Sequence, residues 1–139
     1  MAIRSFFAMA IAMAGAAAGP AHAIEFWHSN TVWGGQGMCS ATFTFDSGLV
    51  EIAGLTVEVA LVDASGTEVL ADTLTVAEFG GSGVDRYADA TIDGAEVCDD
   101  GLTLQVKSAS AALDGKPTDL LADKSLTARE FKPFPIRLP

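Results

Sequence analysis

The chain has 139 residues, half of them hydrophobic, and its 18 acidic residues outnumber its 8 lysines and arginines, for a net charge of −10 at pH 7. A charge of this sign argues against nucleic-acid binding, which needs a basic surface to meet the phosphates, and against attraction to an anionic membrane surface. The length suits a single domain with a small core.

The first 23 residues have the pattern of a secretory signal peptide. Arg4 supplies the only charge before an unbroken run of apolar and small residues at 6–18, and Ala21 and Ala23 occupy the positions that a signal peptidase reads. The run is too short to cross a bilayer, which takes about 20 residues. We predict cleavage after Ala23, export to the periplasm or beyond the cell, and a mature domain over 24–139 that is not inserted in a membrane.

From residue 24 onward the chain reads as short strands separated by turns. Alternation of apolar and polar residues predicts strands at 41–45, 55–61, 67–79 with a bulge near Asp72, 86–92 close to a sheet edge, and 102–106. Two further candidate strands lie at 116–121 and 125–131, before prolines end regular pairing. Roughly seven or eight strands at intervals of about ten residues, without helical periodicity, predict an all-β antiparallel sandwich of fibronectin type III or immunoglobulin type.

Cys39 and Cys98 are the two cysteines of the chain. An even cysteine count in an exported protein predicts a disulfide, and closing a loop of about 60 residues constrains the unfolded chain by about 4 kcal/mol. The cysteines precede what we take as the second and sixth strands, so the bridge is expected to connect the two sheets. A zinc site is a poor alternative, because His28 would be its only nitrogen ligand.

The segment 25–39, EFWHSNTVWGGQGMC, gathers the residues with the clearest functional potential. Strand alternation places Phe26 and His28 on one face, and Trp27 and Trp33 on the other. We take Trp27, His28 and Trp33 as candidate ligand-binding residues, since exposed tryptophans anchor interfaces and sugar platforms. Two alternatives stay open. One is that Trp27 or Trp33 fills the core, and the other is that His28 makes a structural hydrogen bond.

Catalysis finds little support in the sequence. The nucleophile-elbow, zinc-protease and phosphate-loop motifs do not occur, and a Cys–His pair would require a free Cys39. The carboxylates at 93–100 do not follow the spacing of a calcium loop. We therefore predict a non-enzyme with no catalytic residue, no metal and no cofactor, which acts by binding a protein. The alternative is a carbohydrate-binding or cell-envelope structural module that uses exposed tryptophans.

Five blocks of the sequence, FWHSNTVW (26–33), GMCSATFTFDSG (37–48), VCDDGLTLQV (97–106), DGKPTDLL (114–121) and REFKPFPI (129–136), resemble the interleukin receptor mimic A (IrmA) family of small exported bacterial proteins. The resemblance runs over nearly the whole mature chain and includes both cysteines. It implies a disulfide-bonded, fibronectin III-like sandwich that dimerises by domain swapping. It also implies similarity to cytokine-receptor ectodomains, with host interleukins as partners and a non-catalytic, cytokine-binding role.

The C-terminal segment provides a physical basis for such a swap. Residues 125–138 follow a linker at 122–124 that can extend instead of folding back. Exchange of this segment between two copies would recover the same contacts and remove an exposed strand edge. We therefore predict a homodimer.

Overall fold

The computed structural model describes residues 24–130 and 134–139, so the predicted signal peptide lies outside the described residues. Within that part of the chain there are nine strands and one short 3₁₀ turn. The strands are β1 (Ile24–Gly35), β2 (Met38–Asp46), β3 (Ile52–Val62), β4 (Glu68–Phe79), β5 (Tyr87–Gly94), β6 (Thr103–Leu113), β7 (Lys116–Asp119), β8 (Leu126–Arg129) and β9 (Ile136–Arg137), and the 3₁₀ turn is Glu96–Cys98. No helix among the described residues is long and apolar enough to cross a membrane.

The strands form two sheets that pack face to face around one core. The first sheet has the strand order β5-β2-β1-β8, and the second has the order β4-β3-β6-β7, with β9 also paired to β6. Buried side chains from both sheets belong to a single hydrophobic cluster. The predicted all-β sandwich is therefore confirmed.

The pairing is antiparallel except at the C-terminal strands. β8 runs parallel to β1, and β9 runs parallel to β6, so the prediction of a purely antiparallel sandwich is wrong at these two edges. The reason is the path of the chain after β7: it leaves the second sheet, reaches the first sheet at β8 and returns at β9. Such crossing connections allow parallel neighbours, whereas the tight hairpins earlier in the chain force antiparallel ones.

Alternation along the strands builds the core. The largest fully buried side chains are Phe26, Phe43, Phe45, Ile24, Ile52, Leu55, Leu61, Leu74, Ile92, Leu104, Leu120 and Val57. The rings of Phe26 and Phe45, on neighbouring strands, stack with their centroids 5.1 Å apart. Burial of each such side chain contributes about 1.5–3 kcal/mol, so packing between the sheets holds the strands in place.

The irregularity predicted in the fourth strand lies at a different residue. The register between β3 and β4 slips at Val69, between the pairs Leu61–Leu70 and Val62–Glu68, and it is regular at Asp72. Residues 71–73 are exposed on an edge strand. The polar residues near Asp72 therefore reflect solvent around the edge strand and not an inserted residue.

Gly80 allows β4 to end in close contact with the segment after β2. Its φ is +107°, and a Cβ at this position would lie 2.3 Å from the Cβ of Ser47 and 2.4 Å from the carbonyl oxygen of Val50. The buried Ser47 hydroxyl donates a hydrogen bond of 2.9 Å to the Gly80 carbonyl oxygen. Only glycine combines this backbone conformation with this close approach.

The disulfide joins Cys39 to Cys98 as predicted, with their Cα atoms 5.2 Å apart. Cys98 precedes the sixth strand, and β2 and β6 belong to opposite sheets, as expected. Cys98 itself ends the 3₁₀ turn of the β5–β6 connection, so the bridge attaches this connection to the first sheet and does not join a strand of one sheet to a strand of the other. Cys39 lies in β2, where it pairs with Gly94 at the end of β5. The bridge thus fastens the β5–β6 connection to the start of β2, beside the β1–β2 hairpin.

Candidate functional site

A β-bulge in β1 separates the two tryptophans that the sequence placed on one face. The register between β1 and β2 slips between His28 and Asn30, which leaves Ser29 as the extra residue. A bulge of one residue reverses the side-chain alternation beyond it. The expected shared face for Trp27 and Trp33 is therefore wrong, and the two rings lie on opposite faces of the first sheet.

The cross-strand pairs show which face each residue takes. His28 pairs with Phe43, and Trp33 pairs with Cys39, and both of these β2 residues are buried in the core. Directly paired residues share a face of the sheet. His28 and Trp33 thus lie on the inner face, although Trp33 lies beyond the end of the core.

His28 is built into the packing of the inner face. Its side chain is 9% exposed, and its ring lies 5.5 Å from the ring of Phe43 and 4.8 Å from the ring of Phe134, centroid to centroid. A hydrogen bond of 2.7 Å joins its Nε2 atom to the hydroxyl of Thr31. These contacts give His28 the structural hydrogen bond that the sequence left open as an alternative.

A cleft of about 560 Å³ opens beside His28, between β1 and the β5–β6 connection. It is lined by His28, Ser29, Asn30, Thr31, Val97, Cys98, Asp99, Asp100, Gly101, Leu102 and Phe134. Val97, Leu102 and Phe134 are buried, whereas Asp99 and Asp100 are exposed. The cleft therefore combines an apolar floor with carboxylates at its mouth.

The end of the β1–β2 hairpin exposes three large apolar side chains. The exposed fractions of Val32, Trp33 and Met38 are 49%, 73% and 44%; we call these three residues the hairpin tip. The turn between them has positive φ angles at both Gln36 (54°) and Gly37 (74°), the conformation of a tight two-residue hairpin. The Sγ atom of Cys98 lies 3.7 Å from the Gly37 carbonyl oxygen, so the hairpin tip stands next to the disulfide.

Trp27 lies on the outer face of the same sheet, in a ladder of aromatic and guanidinium groups. Its half-buried ring meets the edge of Tyr87 at 6.3 Å, centroid to centroid, and the guanidinium of Arg129 lies 5.9 Å above it. The guanidinium of Arg86 lies 5.4 Å from the centre of the Tyr87 ring. This arrangement packs Trp27 against its neighbours and leaves Trp33 as the more accessible tryptophan.

Both arginines of the ladder also pair with carboxylates. Arg129 forms an ion pair with Glu25, and Arg86 makes two hydrogen bonds, of 2.8 Å and 3.0 Å, to the carboxylate of Asp46. The hydrogen bond from Arg86 is the main reason that the pKa of Asp46 lies below its usual value. The ladder is thus internally matched in charge, and we assign it a role in stabilising the first sheet.

Part of this site escaped the sequence analysis. The spacing of the carboxylates at 93–100 argues only against a calcium loop, and no group of three residues able to hold a metal occurs among the described residues. A usable signal was present, because Asp99 and Asp100 follow Cys98 directly. A bridge from Cys98 to Cys39 necessarily brings them close to the hairpin that precedes Cys39.

Comparison with known proteins agrees with this architecture. The model of the family described as IrmA, interleukin receptor mimic protein A, matches residues 24–128. Among solved structures, IrmA from Escherichia coli is similar to the chain with a TM-score of 0.64 and 21% sequence identity, over 83% of this chain and 98% of that one. At this identity the structural likeness shows the fold alone. A search of curated proteins returns no match.

Proposed function

The chain belongs to the interleukin receptor mimic protein A family, and from this premise we propose that it is an exported, non-catalytic domain that binds a protein partner, with host cytokines as the partner class. The family description supports the partner class, and the disulfide supports export, since such bonds persist in oxidising compartments and are rare in the cytosol. Whether the protein stays in the periplasm or is released, the proposal is the same.

One observation carries the proposal: the hairpin tip presents Trp33 to solvent on a rigid support. Tryptophan is enriched among the residues that dominate binding energy at protein interfaces. The tight turn on one side and the disulfide on the other restrict the conformations of the tip, which lowers the entropy cost of binding. The tip therefore has the physical properties of an interface anchor.

A binding assay with matched variants tests this function. Purified, oxidised protein is titrated against a panel of interleukins by surface plasmon resonance, together with Trp33→Ala and with Val84→Ala, which removes a fully exposed apolar side chain elsewhere. We expect saturable binding to at least one interleukin, a loss of roughly tenfold or more in Trp33→Ala, and no change in Val84→Ala. Absence of saturable binding across the panel at micromolar concentrations would contradict the cytokine assignment.

A domain-swapped homodimer is part of the same proposal. The described part of the C-terminal segment pairs with β1 through the four residues of β8 and with β6 through the two residues of β9. Its buried side chains, Leu126, Phe134 and Ile136, would find identical positions in a second copy. Light scattering after size exclusion should give the dimer mass, and a monomer mass at micromolar concentration rules out the dimer.

The carbohydrate-binding alternative rests on Trp33 alone, because Trp27 faces the other side of the sheet and packs against Tyr87. Two tryptophans on opposite faces do not form one sugar platform. Quenching of tryptophan fluorescence by oligosaccharides, lost in Trp33→Ala, would favour this alternative over protein binding.

A further inference from the structure

The hairpin tip lies next to the cleft, because Cys98 lines the cleft and its Sγ atom lies close to Gly37 in the hairpin turn. His28 and Thr31 line the cleft, and Trp33 follows them on the same inner face of β1. The disulfide connects Cys39, the cross-strand partner of Trp33, to Cys98 on the opposite side of the cleft. The exposed indole is therefore held beside the mouth of the cleft.

The other side of the cleft is acidic. Asp99 and Asp100 line the cleft from the β5–β6 connection, and we call these two residues the acidic rim. No lysine, arginine or histidine occurs between residues 87 and 106. The ion pairs among the described residues join Asp46, Glu68, Glu25 and Glu130 to basic side chains and include no member of the acidic rim.

This charge pattern indicates which ligand chemistry suits the cleft. Carboxylates at the mouth of a cleft attract cations and accelerate the association of a basic partner. Among side chains, arginine fits best: its guanidinium makes paired hydrogen bonds with carboxylates and stacks on an indole ring, and its aliphatic stem suits an apolar floor. A metal ion fits poorly, since no group of three metal-ligating residues occurs in the part of the chain that the structure describes.

We propose that this end of the sandwich binds an arginine-bearing basic segment of a protein partner, with the guanidinium at Asp99 and Asp100 and with Trp33 packed alongside it. The proposal rests on the proposed function of protein recognition and specifies which surface carries it and what charge the partner presents. In this proposal the ladder on the outer face of the first sheet takes no part in binding, because its charges are already matched.

The test uses a short peptide with three arginines, the same peptide with lysines, and the same peptide with glutamates. Each is titrated into the isotope-labelled protein while backbone amide and indole signals are followed by NMR. We expect the arginine peptide to shift the signals of residues 97–102 and of the Trp33 indole, the lysine peptide to bind more weakly, and the glutamate peptide to have no effect.

Two double variants separate a specific site from general charge attraction. Asp99→Asn with Asp100→Asn neutralises the mouth of the cleft, and Asp72→Asn with Glu78→Gln makes the same charge change on the exposed edge strand β4. The first should weaken the arginine peptide roughly tenfold and the second less than about twofold. Equal weakening by both variants, or shifts centred outside the cleft and the hairpin tip, would overturn the proposal.

The same variants keep this proposal distinct from the cytokine assignment. If an interleukin binds and the Asp99/Asp100 variant binds it equally well, the surface proposed here is wrong while the function stands. If the arginine peptide binds at the cleft and no interleukin binds, the surface stands and the cytokine assignment fails. The NMR spectra of the variants also report whether the fold is intact.

Discussion

Removal of the disulfide by Cys39→Ala with Cys98→Ala is expected to lower the free energy of unfolding, mainly because the unfolded chain is no longer constrained by the bridge. The bridged cysteines are 59 residues apart in sequence. In the chain-entropy model a loop of this length contributes about 4 kcal/mol to the free energy of unfolding. Alanine is the suitable replacement, because Cys39 is buried and a serine hydroxyl there would add a separate desolvation cost.

The native fold should survive this change, because other contacts already hold the surroundings of the bridge. Cys39 pairs with Gly94, and the whole of β2 from Cys39 to Asp46 pairs with β5. The expected effect is therefore a less stable but folded protein. The exception is the β5–β6 connection, which loses its attachment to β2 and should show faster amide exchange.

Urea unfolding at fixed protein concentration measures the effect. With an m-value of about 2 kcal/mol per M, a loss of about 4 kcal/mol lowers the midpoint by about 2 M. The reduced wild-type protein should behave like the double variant, which serves as a check on the substitutions. A loss below about 1 kcal/mol with an unchanged m-value would refute the reasoning, since it would mean that the bridge does not restrict the unfolded chain.

Three further predictions concern single positions. Gly80→Ala should destabilise the fold by about 2–4 kcal/mol in urea because of its steric overlap and positive φ, whereas Gly81→Ala, whose Cβ would meet nothing closer than 3.6 Å, should be nearly neutral; equal effects would contradict this. The hydrogen bond from Arg86 lowers the pKa of Asp46 in the folded state, so the stabilisation by Asp46 is fully present above the usual pKa of 3.8 and is lost as the pH falls through the lower folded pKa. The free energy of unfolding should therefore fall less steeply with decreasing pH in Asp46→Asn than in the wild type. Parallel plots of the free energy of unfolding against pH for the two proteins would exclude this coupling. Trp33→Phe should remove most of the acrylamide-quenchable fluorescence, because Trp33 is 73% exposed; unchanged quenching would mean that the hairpin tip is covered.

The sequence predicted the framework well because the framework depends on short-range alternation. Phe43 and Phe45 alternate with threonines, and Leu55, Val57 and Leu61 repeat at the spacing of a strand with one buried face. The cysteine pair was predicted by count and compartment alone. These features require no knowledge of which strands are neighbours.

The placement of the site was less predictable, because it depends on long-range pairing. No residue of FWHSNTVW marks an interruption of the strand, and only the register against β2 reveals the bulge at Ser29. The parallel pairing of β8 and β9 likewise depends on where the chain crosses between sheets, which no local pattern encodes. Cys98 lies in a 3₁₀ turn for the same reason: the sequence shows that a strand follows, but not how the connection to it folds.

The bulge and the disulfide together place Trp33, Asp99 and Asp100 on one surface, which the sandwich fold by itself does not require. Without the extra residue at Ser29, Trp33 would face outward with Trp27, away from the cleft. Without the bridge, Asp99 and Asp100 would not be fastened to the strand that pairs with Trp33. The fold needs neither an indole at the hairpin tip nor carboxylates at the rim, since both are exposed and contribute little to the core. A relative with 21% identity can therefore share the sandwich while presenting a different surface here, so the partner has to be determined from the residues of this surface and not from the fold.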